Sequence, residues 1–482
     1  MKKNIYHLAL IVSFILFSSC SKEFTETQFF QEDRADEGIS SVEQLSSLLR
    51  GAYVSMRDAN YLGCNYRAYA EIRSDEMHYL FNSPSLTEVA TYTLSGQDAY
   101  GPTEFTWKTI YQVVASANIV INAPDDLPWG EGNTPQERTN EVKKLKAQAY
   151  TVRALAFFDL LRLYGQKYTG GTLGIVLPTR YDANARSTRA TIAQTEAQIE
   201  TDFQKAIELF EQVSHSQGVP LENLVDTDHR NYISPLAVKA LQSRYYLYKN
   251  EWTRAAGCAL DVIFSGIYQL ASASELKSSF QKANTPNSIF ELTVGINGTL
   301  STQSYDYLIN SKGSGEMAVS RQAQQLYEPG DVRASLIETD DIIGIDMYFL
   351  NDKFSDLEGN SNIKVIRYEE VLLNAIEALL HSGDDETALT LYNELRGQRG
   401  LSEVTSVSLD ELKKERVREL LGEGFRYWDL LRWGDTVPQG NIDGSFSPSN
   451  NKTVPNRLFA FPIPQIERMS PNSKGVQQNE GY

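Results

Sequence analysis

The sequence predicts a mainly α-helical fold, in which short-linked helix pairs stack into a scaffold beside a loop-rich lobe with a few short strands. Three observations lead there. Apolar residues recur at helical spacing over much of the 482-residue chain, as in Ala147, Tyr150, Ala154, Phe157, Phe158 and Leu161. Two pairs of such segments are joined by turns of only a few residues. Between residues 58 and 101, and again between 268 and 362, the period fails and glycine, serine, asparagine and tyrosine take over.

Taken in order, Lys2 and Lys3 precede the apolar run 8–17 and then Ser18-Ser19-Cys20. This pattern predicts a secretory signal over residues 1–19. The run is too short to cross a bilayer, which needs about 20 apolar residues. Small residues before the cysteine and a polar sequence after it resemble a bacterial lipoprotein processing site, with Phe17 where leucine is usual. Cys20 is thus the expected lipidated first residue, anchored at about 0.8 kcal/mol per buried methylene. Residues 20–38 carry Glu23, Glu26, Glu32, Asp33, Asp36 and Glu37 with almost no apolar period, so they read as a tether.

The body, 39–482, divides into scaffold (39–57, 102–265 and 364–434) and lobe (58–101 and 268–362). Helices are predicted over 42–56 and over 106–122, where Trp107, Ile110, Tyr111, Val114 and Asn118 share a face. Further helices are predicted over 141–164, ended by Gly165, and over 191–213. Segments 235–248 and 252–264 form a pair through Lys249-Asn250-Glu251. Segments 367–381 and 386–399 form another through Ser382-Gly383-Asp384-Asp385. Small residues such as Ala255, Ala256, Ala259, Ala378 and Ala388 suit close crossings of tetratricopeptide-like repeats, although the strict consensus is absent. Residues 288–294 read as a strand. A charged helix over 410–421 is followed by turns at Gly422 and Gly424, then a short helix expected to bury Phe425, Trp428, Leu431 and Trp433. A charge drawn into that aromatic setting needs a partner, so Arg426 or Arg432 is expected to pair with Asp429.

The 62 acidic and 45 basic residues leave a net charge of -17, which argues against nucleic acid as a partner. The 26 tyrosines suit sugar stacking and ordinary helix packing alike. Beyond Cys20, only Cys64 and Cys258 remain; two cysteines define no disulfide framework or zinc site, though an exported protein can pair them. No H-E-x-x-H, G-x-S-x-G or phosphate-binding glycine loop is present, so neither catalytic nor metal-ligating residues are assigned. Glu415 and Glu419, with Arg416 and Arg418 between them, read as helix-surface salt bridges. Asp226-Thr227-Asp228-His229 alternates aspartates like a calcium loop, but Arg230 follows and the loop glycine is missing; calcium is the single cofactor left open.

Several segments resemble one family. Residues 107–122 are similar to a W-x-x-x-Y-x-x-I-x-x-A-N helix, and 147–165 to A-E-A-x-F-L-R-A-x-x-Y-F-x-L-x-x-x-Y-G. Residues 252–270 resemble W-x-x-A-x-x-x-A-x-x-V-I-x-S-G-x-Y-x-L. Asp331-Val332-Arg333, Lys353-Phe354, 367–379 and 393–401 resemble further motifs. Glu423 to Gly434 is similar to F-E-G-x-R-Y-x-D-L-x-R-W-G, with Gly422 where a bulky apolar residue is usual. Phe461-Pro462-Ile463-Pro464 and the ending at Tyr482 also match. In this order, the segments resemble the SusD/RagB family of outer-membrane lipoproteins of Bacteroidetes.

That resemblance implies four tetratricopeptide-like helix pairs, a ligand-shaping lobe and no enzymatic activity. It implies a lipid-anchored protein facing the cell exterior, which captures oligosaccharide and delivers it to a SusC-like TonB-dependent transporter. Peptide cargo is the alternative on the same fold, an α-helical glycoside hydrolase or a pure scaffold protein a more distant one. The motifs carry over no binding residue. Sugar recognition needs flat aromatic faces and polar groups for hydroxyls, which the irregular stretches supply as Tyr66, Asp75, Tyr79 and Tyr100, and as Tyr305, Tyr307 and Arg321. Asp75 also reads as a possible helix cap.

Overall fold

Ser41 opens helix α1 (Val42–Met56) by accepting a hydrogen bond from the Gln44 backbone. The computed structural model describes residues 38–482 except 81–83, 97–100, 181–187, 343, 442–443, 447 and 471–474. The signal, Cys20 and Tyr100 therefore lie outside the described residues. Two short helices, α2 (Asn65–Glu71) and α3 (Pro84–Ala90), occupy a stretch expected to be irregular. Seven residues give less than two turns of stripe, too little for a period to register.

The scaffold continues with α4 (Pro102–Ile121) and α5 (Pro135–Tyr164). α5 begins six residues before the expected start. Thr134 and Glu137 form a reciprocal capping box and Pro135 sits in the first turn, so local capping starts a helix whose opening turns are polar. From Leu145 onward α5 is buried on almost every side, packed between α4 and α6 (Ile192–Gln217). Its buried charges are matched: Arg153 forks onto Asp202 at 2.6 and 2.8 Å, and Arg162 reaches Asp159 at 2.5 Å.

Helices α7 (Pro235–Tyr248) and α8 (Trp252–Phe264) have the predicted bounds. α8 packs on α9 (Tyr368–Ser382), which pairs with α10 (Asp385–Gln398) and also meets α11 (Leu409–Leu420). After α11, Gly422 and Gly424 both take left-handed φ, and α12 (Arg426–Trp433) follows. Trp428 and Leu431 are buried as expected, while Phe425 and Trp433 are only half-buried. Arg432 pairs with Asp429 at 2.8 Å, as does Arg416 at 2.7 Å. Arg426 turns elsewhere.

Three small antiparallel sheets complete the described body. In the lobe, β1 (Met77–Tyr79), β5 (Met317–Val319), β6 (Glu338–Ile342) and β7 (Ile345–Phe349) form one sheet of order β1-β5-β7-β6. β2 (Leu173–Val176) pairs with β3 (Arg189–Thr191). β4 (Ser288–Leu292), buried throughout, pairs with β8 (Ile363–Arg367), which runs directly into α9. Cys64 and Cys258 are free, the first buried and the second half-buried, and burial pushes their thiols up to about 12 and about 11.

Glu415 and Glu419 correct the sequence reading, because both are buried rather than part of a surface array. Glu419 accepts from Arg333 at 2.9 Å, from Arg367 at 2.8 Å and from Arg399 at 2.8 and 3.0 Å. Glu415 accepts from Arg333 at 2.5 Å and Arg418 at 2.6 Å. Three of these arginines lie far from α11 in sequence, so spacing along one helix does not reveal them. Asp331 completes the grip on Arg333, and Lys353 reaches Glu423 at 2.7 Å. These ion pairs lock Arg333 and Lys353 of the lobe onto α11 and the turn after it, where Arg367 and Arg399, at the ends of α9 and α10, share Glu419.

Candidate functional site

Where α2 ends, the chain runs through Arg73-Ser74-Asp75-Glu76 into β1, at the seam between lobe and scaffold. Ser74 shapes this turn: its hydroxyl donates to the Glu71 carbonyl at 2.8 Å and accepts from the Glu76 N–H at 3.1 Å. Ser320 clamps it from β5, its N–H on the Glu76 carbonyl and its hydroxyl on the Asp75 carbonyl, each at 2.7 Å. Asp75 thus leads into a strand and caps no helix.

The Asp75 carboxylate is held by the fork of Arg426, at 2.6 Å from Nε and 2.8 Å from Nη2. The remaining guanidinium nitrogen, Nη1, is buried and has no hydrogen-bond partner among the described residues. Burial opposes the Arg426 charge, but Asp75 outweighs it and holds the guanidinium pKa above its usual value. Behind this pair sit Glu71 and Glu76, both fully buried. Burial raises both carboxyl pKa values, that of Glu71 to about 7, and the neighbouring Glu71 adds to the rise at Glu76. The Gly424 N–H donates to Glu71. A side chain at Gly424 would meet the Arg67 backbone at 3.1 Å, so glycine is what lets the two segments approach.

In front of the Asp75–Arg426 pair opens a cleft of about 180 Å³, walled by Gln322 and Leu326 from the lobe and Lys413 and Lys414 from α11. It offers the Asp75 carboxylate as an acceptor, and the Gln322 amide and Lys414 ammonium as donors. Adjacent donors and acceptors of this kind match the hydroxyls of a sugar.

Of the sequence-predicted residues, Asp75 lines this cleft and exposed Arg321 opens the short helix Arg321–Gln324 that forms one wall. Tyr79 ends β1 opposite Met317, half-buried, and Tyr307 is half-buried on the short helix Tyr305–Ile309. Tyr66 and Tyr305 line a different space, a pocket of about 80 Å³ that Arg67 also lines. Tyr66 donates to Asp159 at 2.7 Å, and the Tyr305 ring lies 4.2 Å from the Arg67 guanidinium. Both rings are spent on internal packing. In the calcium candidate, Asp226 accepts from the backbone of Asp228 at 2.9 Å and of His229 at 3.0 Å, which engages one carboxylate oxygen in its own turn.

Glu76, Lys413 and Arg426 were missed as site residues. Glu76 stands beside Asp75 in the sequence, and Arg426 lies in the most distinctive motif of the chain; no local signal joins the two across 350 residues.

Solved structures share this architecture. A SusD superfamily protein from Bacteroides vulgatus superposes with a TM-score of 0.80 at 26% identity, over 92% of this chain and 100% of its own. Another from Bacteroides thetaiotaomicron gives 0.77 at 27% identity, over 91% and 99%. The SusD-like protein P2 of Formosa agariphila is 24% identical over 91% of this chain and 92% of its own. The fold is therefore that of the SusD superfamily of helical proteins. A family model described as SusD-like, starch-binding and associating with the outer membrane matches residues 28–224, and the SusD family model matches 290–482. The chain belongs to the SusD/RagB family.

Proposed function

We propose that this protein is a cell-surface lipoprotein that captures an oligosaccharide and delivers it to a partner TonB-dependent transporter of the outer membrane, without catalysis. The observation that carries this reading is the match of both halves of one chain to SusD-family models, one described by starch binding and outer-membrane association. The Asp75–Arg426 cleft supports it with polar groups suited to hydroxyls. No helix among the described residues is long and apolar enough to cross a membrane, which accords with anchoring through Cys20. Glu415 and Glu419 are tied into buried ion pairs, so they do not form the two carboxylates across a cleft that glycoside hydrolysis uses.

The division of labour we infer puts the lobe, together with the helix ends that meet it around Lys413, toward the ligand, and the rest of the helix pairs against the transporter. Affinity gel electrophoresis of the protein beginning after Cys20 tests the cargo, with a panel of polysaccharides and a mixed basic peptide pool beside it. Retardation by one glycan class is the expected result. Binding of peptides alone overturns the cargo assignment, an outcome the net charge of -17 makes worth including.

A further inference from the structure

Across Lys413 from the Asp75 cleft lies a second groove, of about 240 Å³. Lys413 lines both hollows, so they adjoin on either side of α11. The second is built from the ends of four helices. Trp252 opens α8, His381 stands in the last turn of α9, Asp410 lies in the first turn of α11, and Trp433 closes α12.

Its walls are aromatic and held in place. The rings of Trp252 and His381 lie parallel, 8° apart in tilt and with centroids separated by 3.9 Å. The Trp433 indole N–H donates to Glu377 at 2.7 Å, and Arg432 holds the same carboxylate at 2.5 and 2.7 Å. Lys413 is tethered to Asp435 at 2.7 Å, with its ammonium 4.8 Å from the Trp433 ring. Trp252 and Trp433 are half-buried, whereas Trp107 and Trp428 are fully inside. Burial, with Arg432 and Lys413 near, lowers the pKa of His381 against the opposing pull of Glu377. A neutral imidazole has one donor and one acceptor nitrogen, and exposed Asp410 adds an acceptor at the rim.

We infer that this groove is a second subsite, which takes a neutral pyranose ring of the same oligosaccharide that enters the Asp75 cleft. The inference rests on the glycan-capture reading above. The C–H face of a pyranose packs on an indole, while His381 and Asp410 stand where ring hydroxyls emerge. Together the two hollows reach the volume of small-ligand sites, about 300–1,000 Å³. A chain laid over Lys413 engages both, and linked occupancy multiplies affinity without any new contact.

Isothermal titration with disaccharides and hexasaccharides of the malto-, cello-, xylo-, manno- and laminari- series tests this, comparing the native sequence with Trp252→Ala and His381→Ala. For the series that binds, the hexasaccharide is expected to bind at least about tenfold more tightly than the disaccharide. Each substitution is expected to bring that ratio close to one. His381 is exposed, so His381→Ala carries the test if Trp252→Ala fails to fold. A ratio unchanged in His381→Ala overturns the second subsite and leaves glycan capture standing. If the native protein binds none of the ten probes but is retarded by peptides, both readings fall together.

Discussion

Replacing Glu419 by glutamine keeps the shape of the side chain and removes the one charge on which three buried guanidiniums converge. Arg333, Arg367 and Arg399 donate to its two oxygens at 2.8 to 3.0 Å, and its residue is only 2% exposed. In the variant, an amide N–H₂ points a donor at donors, and the arginines keep the carboxylates of Asp331, Glu369, Glu415 and Glu423 and the backbone carbonyls of Ala271 and residue 419. Removing one partner from a buried ion pair costs about 3–5 kcal/mol, whereas a helix-surface pair is worth only about 0.3–0.5 kcal/mol. With an unfolding entropy of about 2.1 cal/mol/K per residue over roughly 440 residues, 1 kcal/mol moves Tm by about 1 °C, so Glu419→Gln should melt about 3–5 °C lower at pH 7. The arginines hold the Glu419 carboxyl well below the usual carboxylate range, against the opposing effect of burial. A depressed pKa gives stability that is complete above the ordinary carboxylate value and is lost as pH falls through the folded value. The difference in Tm should therefore persist at neutral pH and shrink on strong acidification. Calorimetric scans at one fixed rate between pH 3 and pH 7 measure it, and a loss below 1 °C at pH 7 refutes the reasoning.

Asp306→Asn should behave with the opposite sign: burial raises the Asp306 pKa to about 6, so its contribution is complete below the ordinary value of 3.8 and is lost as pH rises to about 6. The variant should melt above the native protein at pH 7 and match it near pH 4; equal melting at both values rejects this. Gly422→Ala places a Cβ 2.5 Å from Leu350 Cδ1 and 3.1 Å from Phe354 at a φ of +79°, and should lower Tm by about 2–4 °C through overpacking and left-handed strain, against no change if the turn relaxes freely. Cys20→Ala should move the exported protein from the membrane pellet to the soluble fraction, and continued pelleting after a carbonate wash would count against lipid anchoring at this residue.

Helix positions were legible over much of the scaffold, although the helix predicted over 191–213 runs four residues further, to Gln217, before Gly218 ends it. The 42–56, 235–248 and 252–264 segments have the predicted bounds, the second opened by Ser234 and Pro235 and the last two separated by one three-residue turn. The start of α5 was not legible from apolar period, because its first turns are solvated and Thr134 and Glu137 decide where it begins. The site was less legible for a different reason. A list of loop tyrosines selects residues by type, and type does not distinguish Tyr305, packed under Arg67, from a ring that faces solvent. Trp252 and His381 sit 129 positions apart on two predicted helices, so periodicity places each element but says nothing of their stacking.

The motif over 423–434 carried over no binding residue from its family, yet its contacts place it at both hollows. Gly424 bonds Glu71, Arg426 holds Asp75, and Trp428 stacks on Tyr66 with centroids 6.3 Å apart. Trp433 then forms a wall of the aromatic groove. A motif that only closed the scaffold would have no need to reach the 65–76 segment at three points along one short helix and its preceding turn. Because Arg426 and Trp433 lie two turns apart on α12, the polar cleft and the aromatic groove are held at a fixed spacing by one rigid element. That geometry favours a ligand long enough to reach both hollows over one small enough to fill either alone.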